Sequence, residues 1–357
     1  MNIAKKLAAL TLALLTALSI AACHPKNEIA VTIGEWEFTS AYYLCAFITA
    51  DMEAQTTAYN LAMSGEAEGV DVTKEDFIYD VKIDGKKYET WVKDKALDTL
   101  KTVAAYKTLC KKNKLEISNT DKTGAEAVIA EKWSNYSEIF SNNGVSQATY
   151  TQYRLDEYLA EVYFGHLYGK DGKKAVSADD IKKHLNENYV VANVIGEDLS
   201  SLEDEQKTDK KETINGYYNE LIAGTKTFEE IYKTHYNITE EDTTTNETDD
   251  KPMDQYATAI SKEEGGEHFN SIMEMNVGDI KILNGENDSD ILLVIKKDIN
   301  ADPYYLNDAD ITIRHELKDK EFENDINKFK KTLKLEENKY ATNRFKVKKI
   351  EYLETTA

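Results

Sequence analysis

Nine side chains here are of the types that most often do chemistry, six histidines and three cysteines. The histidines are His24, His166, His184, His235, His268 and His315. None shows the His-x-x-x-His spacing that puts two imidazoles on one helix face for zinc. His315-Glu316 begins like a zinc-protease pair, but no second histidine follows it. Gly285-Glu286-Asn287-Asp288-Ser289-Asp290 is acidic enough to touch Ca²⁺. It lacks the glycine and terminal glutamate of an EF-hand loop and reads as a solvated hairpin tip. Cys45 and Cys110 lie among helical apolar positions without metal-ligand spacing. They read as buried free thiols, with a single disulfide between them as the alternative. Neither a nucleophile elbow nor a phosphate loop is present. No metal and no cofactor is expected, and the remaining reactive group is Cys23.

Cys23 closes an uncharged run from Leu7 to Ala22, preceded by Lys5 and Lys6. That run suits the apolar region of a signal peptide and is short of the roughly 20 residues a membrane-spanning helix needs. Ile20-Ala21-Ala22-Cys23 resembles a bacterial lipobox, which implies cleavage after residue 22 and diacylation of the Cys23 thiol. Two acyl chains make a stable anchor, because affinity grows by about 0.8 kcal/mol per buried CH₂. The expected location is the outer face of the cytoplasmic membrane, in a Gram-positive cell, where no ATP is at hand.

Of 357 residues, 44 are basic and 65 acidic, a net charge of −21. Removing residues 1–22 takes away two lysines and leaves 42 against 65, or −23. Such a surface excludes nucleic acid as a partner, since phosphates call for Lys/Arg patches. It favours solubility and keeps the body off an anionic membrane.

The elements that must position any site follow from periodicity. Residues 23–30 read as a tether. Ile29, Val31 and Ile33, then Trp36 and Phe38 across Gly34, predict a hairpin. Thr39 or Ser40 caps a helix to about Met63. Val92, Ala96, Leu100 and Val103 form one stripe of a helix over 88–113. Further helices are expected over 123–140, 146–168 and 177–188. Tyr189–Ile195 reads as a strand, 203–223 as a helix, and Thr227-Phe228-Glu229-Glu230 as a capping box opening a short helix. Thr239–Lys251 is acidic and of low complexity. A helix over 263–275, strands over 280–283 and 290–297, a long helix over 308–340 and a closing strand over 345–353 complete the pattern. The expected class is α+β, with a helical domain over 31–186 plus 308–357 and an inserted α/β domain over 187–307.

This order, behind the lipobox and the Ile33-Gly34-Glu35-Trp36-Glu37-Phe38-Thr39 string, resembles the PrsA-type foldase lipoproteins, relatives of SurA and trigger factor. The resemblance implies a SurA-like helical chaperone domain and an inserted parvulin-like prolyl isomerase module. Lys226–Ile231 matches that module's second helix, and Phe269, Met275 and Gly278-Asp279-Ile280 match its last helix and turn. The chemistry departs from the family. Asn193 and Leu292 stand where the resemblance calls for histidines, and Thr239–Lys251 replaces a glycine-rich segment. Isomerisation must lower a barrier near 20 kcal/mol, so a module without its polar centre is expected to be degenerate, with no catalytic residue.

The expected function is an ATP-independent chaperone of unfolded or newly secreted polypeptides, with a homodimer possible. An active isomerase is one alternative. A different surface lipoprotein, solute-binding or adhesive, is another, although repeated βαβ units around a cleft are missing. Tyr150, Tyr153, Tyr158, Tyr163, Phe269 and Met275 are the candidate client-binding residues, because aromatic and thioether side chains offer adaptable apolar area.

Overall fold

The structure, a computed structural model, describes residues 27–239 and 252–352. The run read as a signal segment, Cys23 and most of the acidic Thr239–Lys251 stretch lie outside the described residues. The chain divides into two compact units, residues 1–167 with 320–357, and residues 168–319.

In the first unit, β1 (Ile29–Ile33) and β2 (Trp36–Thr39) form the expected hairpin. Gly34 turns it with a positive φ of 59°, a conformation that a Cβ would strain. Thr39 caps α1 (Ser40–Met63), its hydroxyl accepting from the Tyr42 N–H at 3.3 Å. The stripe at Val92, Ala96, Leu100 and Val103 is buried along α2 (Tyr88–Asn113), after the small hairpin β3 (Lys82–Ile83) and β4 (Lys86–Lys87). Two further helices follow, α3 (Asn119–Asn142) and α4 (Gln147–Tyr168). The core joins α1 to the C-terminal segment through Tyr43, Phe47 and Phe345, whose ring centroids stand 5.8–6.4 Å apart.

In the second unit, α5 (Ala178–Asn188) runs into β5 (Tyr189–Asp198), the centre of an antiparallel sheet. After α6 (Asp204–Ala223) and α7 (Phe228–His235) come β6 (Ala257–Ser261), α8 (His268–Met273), β7 (Ile280–Asn284) and β8 (Asp290–Lys297). The strand order is β6-β5-β8-β7. The α7 capping box is complete, with Glu230 N–H on the Thr227 hydroxyl and Thr227 N–H on the Glu230 carboxylate.

Four expectations change. Ala257–Ser261 is a strand where none was expected, because five short residues show too brief an alternation until β5 offers a partner. The helix expected over 263–275 contracts to α8. The long helix α9 spans Pro303–Lys330 rather than 308–340. Asp302 accepts from the Tyr304 N–H at 2.9 Å, and Pro303 at the first turn needs no N–H partner, so the helix starts early. The expected strand over 345–353 is absent among the described residues. Both edges of β1 are already taken by β2 and by β9 (Leu335–Glu337), so Phe345 and Val347 pack as core after α10 (Lys339–Thr342).

The unit bounds also differ from those read in the sequence. Residues 168–186 and 308–319 pack with the sheet, where Ile181 and Leu185 of α5 meet Tyr305, Ala309 and Ile313 of α9 over Val191 and Ala257. Arg314 explains part of that arrangement. It is 5% exposed, pairs with Asp310 at 2.7 Å, and donates to the Tyr168 carbonyl at 2.7 Å and the Val176 carbonyl at 3.3 Å.

Candidate functional site

The positions matched to the two missing histidines do not meet. Along β5 the side chains alternate, and pairing with β8 sets Asn193 opposite Ile295 and Gly196 opposite Leu292. Asn193 therefore shares a face with Ala257 and Ile295, while Leu292 lies on the other with Val190, Ala192 and Val294. A one-residue change of register moves every side chain to the opposite face, so histidines at 193 and 292 would not make a shared centre.

Leu292's face is closed. Phe269 and Ile272 of α8, with Met275, bury 97% or more of their surface against Val190, Ala192 and Val294. Polar groups border the packed side chains: Lys296 donates to the Met273 and Met275 carbonyls at 2.5 and 2.8 Å, and His268 pairs with Asp290 at 2.8 Å. Gly196 also belongs here: a Cβ on it would stand 2.6 Å from a Leu292 methyl, so Leu292 fills the space a side chain would take.

On the opposite face Asn193 is 2% exposed and donates to Asp254 at 3.2 Å, with its side-chain carbonyl oxygen unpartnered among the described residues. Burial opposes ionisation of Asp254, but hydrogen bonds from Lys297, the Tyr256 N–H and Asn193 outweigh it and hold its pKa below the ordinary carboxylate value. The arrangement orders β6 against β5 and β8.

Of the six aromatic and thioether candidates, four are core residues. Phe269 and Met275 belong to the closed face. Tyr150 packs on Phe140 and Trp133 with ring centroids 4.8 and 5.4 Å away, and Tyr153 sits edge-on to Tyr42 at 5.4 Å. Full burial removes these side chains from contact with a ligand on the native surface. Tyr158 and Tyr163 remain partly exposed.

Tyr158 lines an open cleft of about 560 Å³ between α3 and α4. Its floor is Gly124, Ala125, Val128 and Ile129 of α3, and Val128 is 52% exposed. Arg154 and Glu157 of α4 stand at the wall, 2.7 Å apart. Burial raises the Glu157 pKa, and the Arg154 charge opposes the rise. A second cleft, of about 400 Å³, lies on another side of α4, where Leu155 and Leu159 face Trp36, Leu115 and Ile117.

Its edge is held by charge. Asp156 accepts from Tyr42 at 2.9 Å, Lys107 at 2.7 Å and Gln152 at 2.9 Å. Lys107 and Lys111 also lie 4.9 and 5.4 Å from the Trp36 ring centroid, in cation–π range. The Cys110 thiol borders this cleft, 3.7 Å from the Leu159 carbonyl, and burial pushes its pKa up to about 11, so it stays a thiol. Cys45 is buried as well, and both cysteines are unbonded.

The sequence reading missed the α3 floor and the leucines of α4. The signal was present: Ala125, Val128 and Ile129 recur at helical spacing within a polar helix. Such a stripe usually marks a buried face, and only the fold reveals that Ile129 joins the core while Val128 is left open. In the sheet unit, Glu267, His268 and Asp290 bring three metal-ligating atoms within 4.8 Å of one another.

No protein-family model and no curated protein matches this chain. Among solved structures it is similar to the foldase protein PrsA from Streptococcus pneumoniae, at 12% identity and a TM-score of 0.36, covering 66% of this chain and 77% of that one. It is also similar to the foldase protein PrsA from Lactococcus lactis, at 12% identity and a TM-score of 0.39, covering 70% of this chain and 86% of that one.

Proposed function

We propose that this protein is a lipid-anchored extracytoplasmic chaperone that holds unfolded secreted polypeptides without ATP, and that its sheet unit does not catalyse prolyl isomerisation. The observation that carries this reading is the pair of open, apolar-floored clefts along α4 in the helical unit; within the sheet unit, α8 fills the sheet face that it covers. An extended chain offers alternating apolar side chains, and a shallow floor of Ala125, Val128 and Tyr158 takes them without regard to sequence. Affinity at such a floor scales with apolar area, about 25 cal/mol per Å² before the cost of ordering the client. The acidic surface keeps a loaded complex soluble and favours basic clients, with binding that weakens as salt screens it.

Anchoring rests on the lipobox at Cys23. No helix among the described residues is long and apolar enough to cross a membrane. Cys23→Ala should release the protein from membranes or leave it as uncleaved precursor; normal processing and retention would remove the anchor from this account.

The decisive experiment runs two assays side by side on the full chain. Suppression of aggregation of an unfolded protein should be present and should fall in Val128→Asp, which puts a charge on the cleft floor. A protease-coupled assay on a proline tetrapeptide should stay at the uncatalysed rate. Isomerisation at the rate of an ordinary parvulin would overturn the non-catalytic assignment. Failure to slow the aggregation of any unfolded protein would overturn the chaperone reading.

A further inference from the structure

We propose that Glu267, His268 and Asp290 form a zinc site that pins the start of α8 to the start of β8. The donors are one imidazole nitrogen and two carboxylate oxygens. The His268 Nε2 stands 2.8 Å from Asp290 Oδ1 and 4.0 Å from Glu267 Oε1. Ligands about 2 Å from a common zinc ion lie about 3.3 Å apart in tetrahedral geometry, a spacing that these two separations bracket. Small side-chain rotations therefore bring the three atoms onto one ion.

The surroundings are built to hold those atoms. His268 is 91% buried, so its ring is fixed by packing. The Glu267 carboxylate accepts from the Glu286 N–H at 3.0 Å, which orients it as outer partners orient metal ligands. Gly285 lies against the Asp290 carboxylate: a Cβ there would fall 2.7 Å from Asp290 Oδ1 and 2.3 Å from Ser289 Oγ. Its φ is −72°, open to any residue, so space and not backbone conformation calls for glycine. The Glu267 side chain is 39% exposed, which leaves an entry path and a fourth position for water.

Donor chemistry selects the metal. A single imidazole with two carboxylates suits Zn²⁺, whereas Ca²⁺ takes six to eight oxygens. The net charge of −21 raises the local concentration of divalent cations. Bound zinc would bridge two segments far apart in sequence and lock α8 over the closed face. Because only the folded chain gathers the three donors, zinc should also raise the melting temperature.

The test titrates the full chain with Zn²⁺ at neutral pH against a chromophoric zinc chelator. One site is expected, and His268→Gln, Asp290→Asn and Glu267→Gln should each weaken it by about 10-fold or more. His315→Gln, which alters a separate imidazole near Asp319, should bind zinc as the parent does. Far-ultraviolet circular dichroism monitors folding. Should the buried His268 variant unfold, Glu267→Gln decides, since that side chain is partly in water. No zinc bound by the parent chain, or unchanged affinity in Glu267→Gln and Asp290→Asn, overturns the site.

Discussion

The helical unit and the sheet unit bury their apolar residues to different ends. In the sheet unit, α8 is only six residues long, yet Phe269 and Ile272 plug the face of β5 and β8 completely. In the helical unit, α3 is 24 residues long and buries only Ile129 and Phe140, leaving Ala125 and Val128 over an open cleft. A short element that is almost all interior gives stability, whereas a long element that is mostly surface gives binding area. The difference teaches that the unit expected to be a degenerate isomerase has the more closed face, and the unit expected to be the chaperone domain has the open one.

The largest effect should come from opening the closed face. Phe269→Ala should cost about 3–5 kcal/mol, the range for removing a buried phenylalanine, read as a fall in the urea midpoint at unchanged slope. A loss below about 1 kcal/mol would mean that the face is not packed as described. Asp156→Ala should cost about 3 kcal/mol, the low end for breaking a buried pair, because Lys107 keeps 19% of its side chain in water. The same change frees the edge of the second cleft, so client binding should change with it.

Asp51 supplies a pH signature in the helical core. Burial raises its pKa, against hydrogen bonds from Tyr352 and Gln55. The folded chain then holds a proton that the unfolded chain has lost above about pH 3.9. Its contribution to stability is complete below that value and disappears as pH rises through the folded pKa. Compared with Asp51→Asn, which cannot titrate, the parent should lose stability over that window; a parallel pair of stability–pH curves would contradict this.

Asn193 should matter least among the buried polar groups. Asn193→Val removes an unpartnered carbonyl, and Asp254 keeps Lys297 and the Tyr256 N–H, so the net change should stay within about 1 kcal/mol. Val128→Asp sharpens the contrast from the other side. Its effect on stability should be within about 0.5 kcal/mol, as for an exposed position, while suppression of aggregation falls. If instead it unfolds the protein, Val128 is core and the cleft is closed.

Much of this architecture is legible in the sequence because helix ends and tight turns are set by neighbours a few residues apart. Thr39, Ser177 and the Thr227–Glu230 pair announce their helices, and the stripe at Val92, Ala96, Leu100 and Val103 announces a buried face, all by local spacing. The resemblance of Ile20–Cys23 to a lipobox is likewise a purely sequential signal. What the tertiary structure decided was pairing. It recruited Ala257–Ser261 as a strand, drew residues 168–186 onto the sheet, and set Asn193 and Leu292 on opposite faces through a register that neither strand encodes alone. It also brought His268 to Asp290 and left Val128 of the α3 stripe uncovered. Periodicity tells which side of an element is apolar; whether another part of the chain comes to cover it depends on long-range contacts that no local pattern contains.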